Sequence, residues 1–115
     1  MSDDNGSRPI DPLLLSSTIS AAYHNVCLCS VNDHEIRLAV VTEQFGWHRH
    51  PDSDETFCGI DGELLIQFED SQVRLKAGQF FTVPAGVLHR TSPVGERCVN
   101  LTFERRDAAN EFVDR

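Results

Sequence analysis

Three histidines and one glutamate carry the sharpest chemical signal in this 115-residue chain. His48 and His50 are separated by one residue, so on a β-strand both imidazoles project from the same face. Glu55 follows the turn-forming stretch Pro51-Asp52-Ser53-Asp54, and His89 follows a Pro84-Ala85-Gly86 corner. Neutral imidazole and carboxylate suit one divalent transition metal (Fe, Mn, Ni or Zn), and four protein ligands leave two octahedral positions for water, substrate or dioxygen. In the competing reading His48 and His50 are surface strand residues and His89 is a core histidine. That reading strands Glu55 in an apolar interior without a partner, which is costly.

The elements that must position these groups show a period of two. Ile36, Leu38 and Val40 alternate with Glu35, Arg37 and Ala39; Val99, Leu101 and Phe103 alternate with Cys98, Asn100 and Thr102. Such alternation marks strands with one face in a core, here predicted to be the Ile36 and Val99 sets. Counted from Ile36, the same parity sends His48 and His50 inward if no bulge intervenes. Turn signals recur between the strands at Asn32-Asp33, Asp61-Gly62, Asp70-Ser71 and Ala77-Gly78. Many short strands at this spacing predict an all-β sandwich or barrel. Residues 1–25 read as an N-terminal arm, with Asp11 and Pro12 placed to open one helical turn. Residues 26–106 form the barrel, and residues 107–115 a tail with a short C-terminal helix.

Two turns test which side is inside. With Asp61-Gly62 as a two-residue hairpin turn, Phe57 faces Ile66 and Glu55 faces Phe68. With Asp70-Ser71 as the next, Phe68 pairs with Val73 and Ile66 with Leu75. Both put Glu55 on the apolar side. The same parity places Gln44, Phe57, Phe68, Phe80 or Phe81, and Thr91 around the metal, a largely apolar lining, and admits no Lys or Arg between Glu35 and Lys76. A sugar phosphate, which wants a cation for its phosphate, is therefore disfavoured. Trp47, Cys58, Ile60 and Leu65 point the other way, and an apolar outer face predicts a second subunit as its cover, a homodimer.

The segment Gly46-Trp47-His48-Arg49-His50 through Glu55 to Gly62 resembles the first motif of the cupin family, and Gly78, Pro84-Ala85-Gly86 and His89 resemble the second. The leading Gly46 lies closer to the histidines than in the family pattern, and Pro93 stands where that pattern has an Asn. The resemblance spans about Glu35 to Phe103. It implies a jelly-roll β-barrel with His48, His50, Glu55 and His89 around one metal. The expected function is metal-dependent binding of a small, mostly apolar organic substrate, with dioxygenase or isomerase/cyclase chemistry. Glu55 would leave the metal to move a proton and Gln44 would orient substrate. A non-catalytic sensor or carrier is the alternative.

Composition narrows the partners. Ten Lys+Arg against 18 Asp+Glu give a formal net charge of −8, the wrong sign for nucleic acid or an anionic membrane. No apolar run reaches the roughly 20 residues of a membrane span, and the polar, acidic start does not resemble a signal peptide. These features predict a soluble cytoplasmic protein. Its four cysteines, lacking a CxxC pair, predict buried reduced thiols rather than a zinc ribbon.

Overall fold

A computed structural model of the chain describes residues 8–20 and 23–114. One short helix, α1 (Pro12–Ser16), precedes ten strands: β1 (Tyr23–Val31), β2 (His34–Val41), β3 (Phe45–Arg49), β4 (Glu55–Asp61), β5 (Glu63–Gln67), β6 (Gln72–Lys76), β7 (Phe80–Val83), β8 (His89–Pro93), β9 (Cys98–Arg105) and β10 (Glu111–Phe112). They form two five-stranded sheets, ordered β1-β2-β9-β4-β7 and β10-β3-β8-β5-β6, with each strand antiparallel to its neighbours. This is the expected jelly roll. Helix α1 starts where the sequence places it: the Asp11 carboxylate accepts the Leu14 N–H, and Pro12 occupies the first turn, where a missing N–H costs nothing.

The faces of β4, β5 and β6 follow the predicted alternation, but the pairings differ. β4 pairs with β7 and β9, not with β5. At Asp61-Gly62 the chain crosses from one sheet to the other, and Gly62 makes the crossing with φ of 71°. In the next hairpin Leu64 pairs with Leu75 and Ile66 with Val73, around a four-residue loop closed by the Phe68 N–H on the Ser71 carbonyl. That register is two residues from the expected one. A shift of two leaves every side chain on its own face, so Phe57, Leu64, Ile66 and Leu75 still meet in the core.

The inward face of β2 and β9 is a correction. Ala39, Val41 and Cys98 join the barrel core, whereas Leu38, Val40 and Val99 form a second apolar layer outside the sheet. Ile19, Val26, Ile60 and Leu101 pack against that layer. The Arg97 guanidinium fastens the segment after α1 by donating to the carbonyls of Ser16 and Ile19. Both faces of these strands are buried, so hydrophobicity alone does not say which one lines the barrel. The outer face expected to need a partner is thus covered in part by the chain's own N-terminal segment. In the other sheet, Trp47 lies under the Arg90 guanidinium at 4.7 Å.

Two further expectations change. The tail carries strand β10, paired with β3, rather than a helix. All four cysteines are free, but only Cys58 and Cys98 are buried, while Cys27 and Cys29 flank a bulge on β1 and are exposed.

Candidate metal centre

A bulge sets the histidines. Phe45 pairs with Thr91 and His48 with His89, and the register shifts between Phe45 and His48. Phe45 and His48 consequently both face the interior, although their spacing would separate them on a regular strand. Glu55 arrives from the opposite sheet at the start of β4. One ligand-capable atom each from His48, His50, Glu55 and His89 lies within 4.8 Å of the others, and all four residues are buried.

Backbone carbonyls fix the ring orientations. His48 Nδ1 donates to Gly46 O (2.8 Å), His50 Nδ1 to Ala109 O (3.0 Å) and His89 Nδ1 to Val87 O (2.9 Å). A carbonyl only accepts, so each Nδ1 carries a proton and each Nε2 is turned to the common centre, where an unprotonated Nε2 offers its lone pair. His50 Nε2 lies 3.1 Å and His89 Nε2 3.4 Å from Glu55 Oε1. His89 Nε2 is wholly buried without a hydrogen-bond partner. An orphaned imidazole nitrogen beside two more imidazoles and a carboxylate fits a divalent transition metal.

The loop between β3 and β4 ties this arrangement together. Asp54 Oδ1 accepts from Ala85 N, Asp52 Oδ1 from Ala109 N, and Ser53 Oγ from Arg105 N. Gly86, at φ 82°, donates its N–H to the His50 carbonyl, so the corner before His89 is bonded to the strand end that carries His50. The tail closes one side: besides the Ala109 carbonyl, Phe112 packs on His48 and Phe45 with ring centroids 5.7 and 5.5 Å away.

His48 and Glu55 open onto a cavity of about 350 Å³. Its lining includes apolar Val41, Phe45, Phe57 and Leu64. It also includes Arg37, Asn100, Thr102 and Glu104, which the parity count from Leu38 and Val99 turns outward. Arg37 overturns the expectation of an interior free of basic groups, but it is spent locally. It donates to Glu35 Oε1 at 2.8 Å and to Asn25 Oδ1. Of the residues expected near the metal, Phe57 and Thr91 line the cavity, Phe68 lies 6.4 Å from the His89 ring, and Phe81 packs on the core. Phe80 is exposed. Gln44 is exposed in the bend between β2 and β3 and does not line the cavity; residues 42–44 leave the strand, so the period of two stops counting there. His34 is exposed beside Asp33, and His24 is half-buried on β1.

The electrostatics are opposed within the cluster. Burial pushes His48 down to about 4 despite the Gly46 carbonyl. Burial also opposes charge on His50, but the Glu55 hydrogen bond and charge, with the Ala109 carbonyl, outweigh it and raise His50 to about 9. Glu55 would be raised by burial, yet the hydrogen bond and charge of His50, with His89 close by, hold it low. Burial and the Glu55 charge raise Glu104 to about 7. A group with a raised pKa stabilises the fold below its ordinary value and loses that contribution as pH climbs through the raised one. In chelator-treated protein, His50 therefore withdraws stability between pH 6.5 and about 9, and Glu104 between 4.5 and about 7. His48, which is depressed, and Glu55 act at the acid end. The melting midpoint is expected to fall steadily from pH 6.5 to 9 in calorimetry; a midpoint that rises over that range would contradict the His50–Glu55 pairing.

A two-sheet jelly roll with three histidines and a glutamate converging beside an internal cavity defines a small β-barrel protein with a candidate metal centre. The chain belongs to the cupin family: the sequence model described as "Cupin domain" matches residues 34–102. It is 40% identical over 103 residues to the uncharacterized protein YdbB of Bacillus subtilis, covering 89% of this chain and 90% of that one. The crystal structure of a cupin-2 domain protein from Shewanella frigidimarina superposes with a TM-score of 0.79 at 31% identity, covering 84% of this chain and 94% of that one. The DMSP lyase DddQ of Ruegeria pomeroyi shares the fold with a TM-score of 0.70 at 18% identity, over 80% of this chain and 52% of that one.

Proposed function

We propose that this cupin is a metal-dependent enzyme acting on a small oxygenated organic molecule, with His48, His50, Glu55 and His89 holding one divalent transition metal. Bound there, the metal supplies Lewis-acid polarisation of a substrate oxygen. The protein's own groups do the rest. The three backbone-anchored imidazoles hold the donor geometry, and Phe45, Phe57 and Leu64 keep water from the apolar part of the substrate. Glu55, at the cavity edge between His50 and His89, moves a proton. The observation that carries this reading is the buried carboxylate next to the orphaned His89 nitrogen, facing a cavity of about 350 Å³. Carboxylates beside a polarised carbonyl favour proton-transfer chemistry of the isomerase or cyclase kind over dioxygenation. A lyase on the same fold is consistent with that choice, and cytoplasmic homodimers belong to the same proposal.

The test incubates zinc- and manganese-loaded protein with a panel of hydroxy-carbonyl compounds in D2O and follows deuterium by NMR. Incorporation at the carbon next to the carbonyl, abolished by chelator, is the expected result. Oxygen uptake by the iron form without such exchange would assign dioxygenase chemistry instead. Neither activity across the panel would leave a binding protein and overturn the enzyme reading.

A further inference from the structure

Strand β9 presents Asn100, Thr102 and Glu104 in succession to the cavity. Cross-strand pairing builds rows around them. Asn100 lies between Gly59 and Ala39, and Thr102 between Phe57 and Arg37. Glu104 is opposite Glu35, and the register that pairs Thr56 with Phe103 brings Glu55 alongside as well. Two acceptors on this wall are unmatched. Asn100 is 2% exposed, and its Oδ1 has no hydrogen-bond partner; Glu104 Oε1 is likewise buried without one, 3.9 Å from His50 Nε2. A buried polar atom left unpaired is destabilising. Two of them lining one cavity mark places where a ligand completes the bonding.

We propose that β9 is the recognition wall of the cavity and that its ligand is a polyhydroxylated chain whose hydroxyl groups donate to Asn100 Oδ1 and Glu104 Oε1. This rests on the metal-binding reading above and names the class of molecule it serves. Asn100 Oδ1 is an acceptor and Glu104 Oε1 is one when its carboxyl is ionised, so the ligand must bring donors. A phosphate or a second carboxylate at this wall would meet the Glu104 and Glu35 carboxylates, and Arg37 is already bonded to Glu35 and Asn25. Four residues along a strand span about 13 Å. Two hydrogen bonds of about 2.8 Å leave roughly 7 Å, the reach of a five- or six-carbon polyol. Thr102, 4% exposed and midway between them, offers a hydroxyl to the middle of such a chain.

Calorimetry on zinc-loaded protein tests this with D-arabinonate and 2-hydroxypentanoate. Both offer the metal the same α-hydroxy-carboxylate, and they differ only in the hydroxyls further along the chain. Arabinonate is expected to bind at least about tenfold more tightly. Asn100→Leu and Glu104→Leu should each lose most of that preference, while Asn100→Asp and Glu104→Gln, which keep an acceptor oxygen, retain it. Zinc content is measured on every variant. Equal affinities in the parent, or a preference that survives both leucine variants at full zinc occupancy, would overturn the recognition wall alone. A parent that takes up no zinc would overturn the metal reading and this inference with it.

Discussion

Purified without a histidine tag, the protein is expected to carry about one equivalent of a transition metal, and a His48→Gln/His89→Gln variant less than about a tenth of that. The expectation follows from how little else the cluster can do. Each imidazole has its Nδ1 committed to a carbonyl, so among the described residues the three Nε2 atoms have one another and Glu55 close by, with Glu104 Oε1 3.9 Å from His50 Nε2. His50 and Glu55 can satisfy each other at 3.1 Å, but His89 Nε2 is left over in a site with no exposure. Removing His48 and His89 together leaves one imidazole and one carboxylate, too few donors to compete with water for a divalent ion. Glutamine roughly keeps the side-chain volume, which matters because truncating a fully buried group costs about 2–5 kcal/mol through the cavity it leaves. Circular dichroism should therefore match the parent while elemental analysis does not. Full metal content in the variant would place the ion elsewhere. A parent that stays empty after reconstitution would make these four residues a hydrogen-bonded scaffold.

Gly59→Ala should be severely damaging, lowering stability by more than about 3 kcal/mol. A Cβ at Gly59 would lie 2.3 Å from the Lys76 carbonyl oxygen and 2.8 Å from its carbon. Neither partner can retreat. The Gly59 N–H donates to Gln79 O and the Gly59 carbonyl accepts from Gly78 N, both at 2.9 Å, so the turn after β6 is bonded to the strand it would have to leave. The melting midpoint should drop by roughly 10 °C or more. Gly95→Ala is the control. Nothing lies within 4 Å of a Cβ there, and the change should stay within about 1 kcal/mol of the parent. If Gly59→Ala melts with the parent, β4 and the turn are not in contact.

Much of this architecture is legible in the order of the residues. The alternation in Leu64, Ile66 and Leu75 names the core side of two strands, and Gly62, Gly78 and Gly86 all hold the positive φ that their turn positions demand. The same local chemistry misjudges pairing. Asp61-Gly62 looks like a hairpin turn but is the step between sheets, because a two-residue turn signal fixes only the local bend and not the strand that the next segment joins. The expected tail helix is instead β10 because an edge of β3 is open for pairing, a fact about another part of the chain. Gln44 misses the cavity for a related reason: counting by twos requires an unbroken strand, and residues 42–44 are not one.

The sequence by itself singled out the candidate ligands, since His48, His50, Glu55 and His89 are chemically distinctive and each lies beside a turn signal. It also determined the barrel class, through the period of two and the glycines at turns. Only the tertiary structure decided what faces those ligands. On β2 and β9 both faces are buried, one under the N-terminal segment and one in the barrel, so the apolar set Leu38, Val40 and Val99 went outside and Arg37, Asn100, Thr102 and Glu104 went in. Alternation divides a strand into two faces but does not say which one lines the cavity. That choice is made by what packs against each face, and the residues that pack there are distant in the chain.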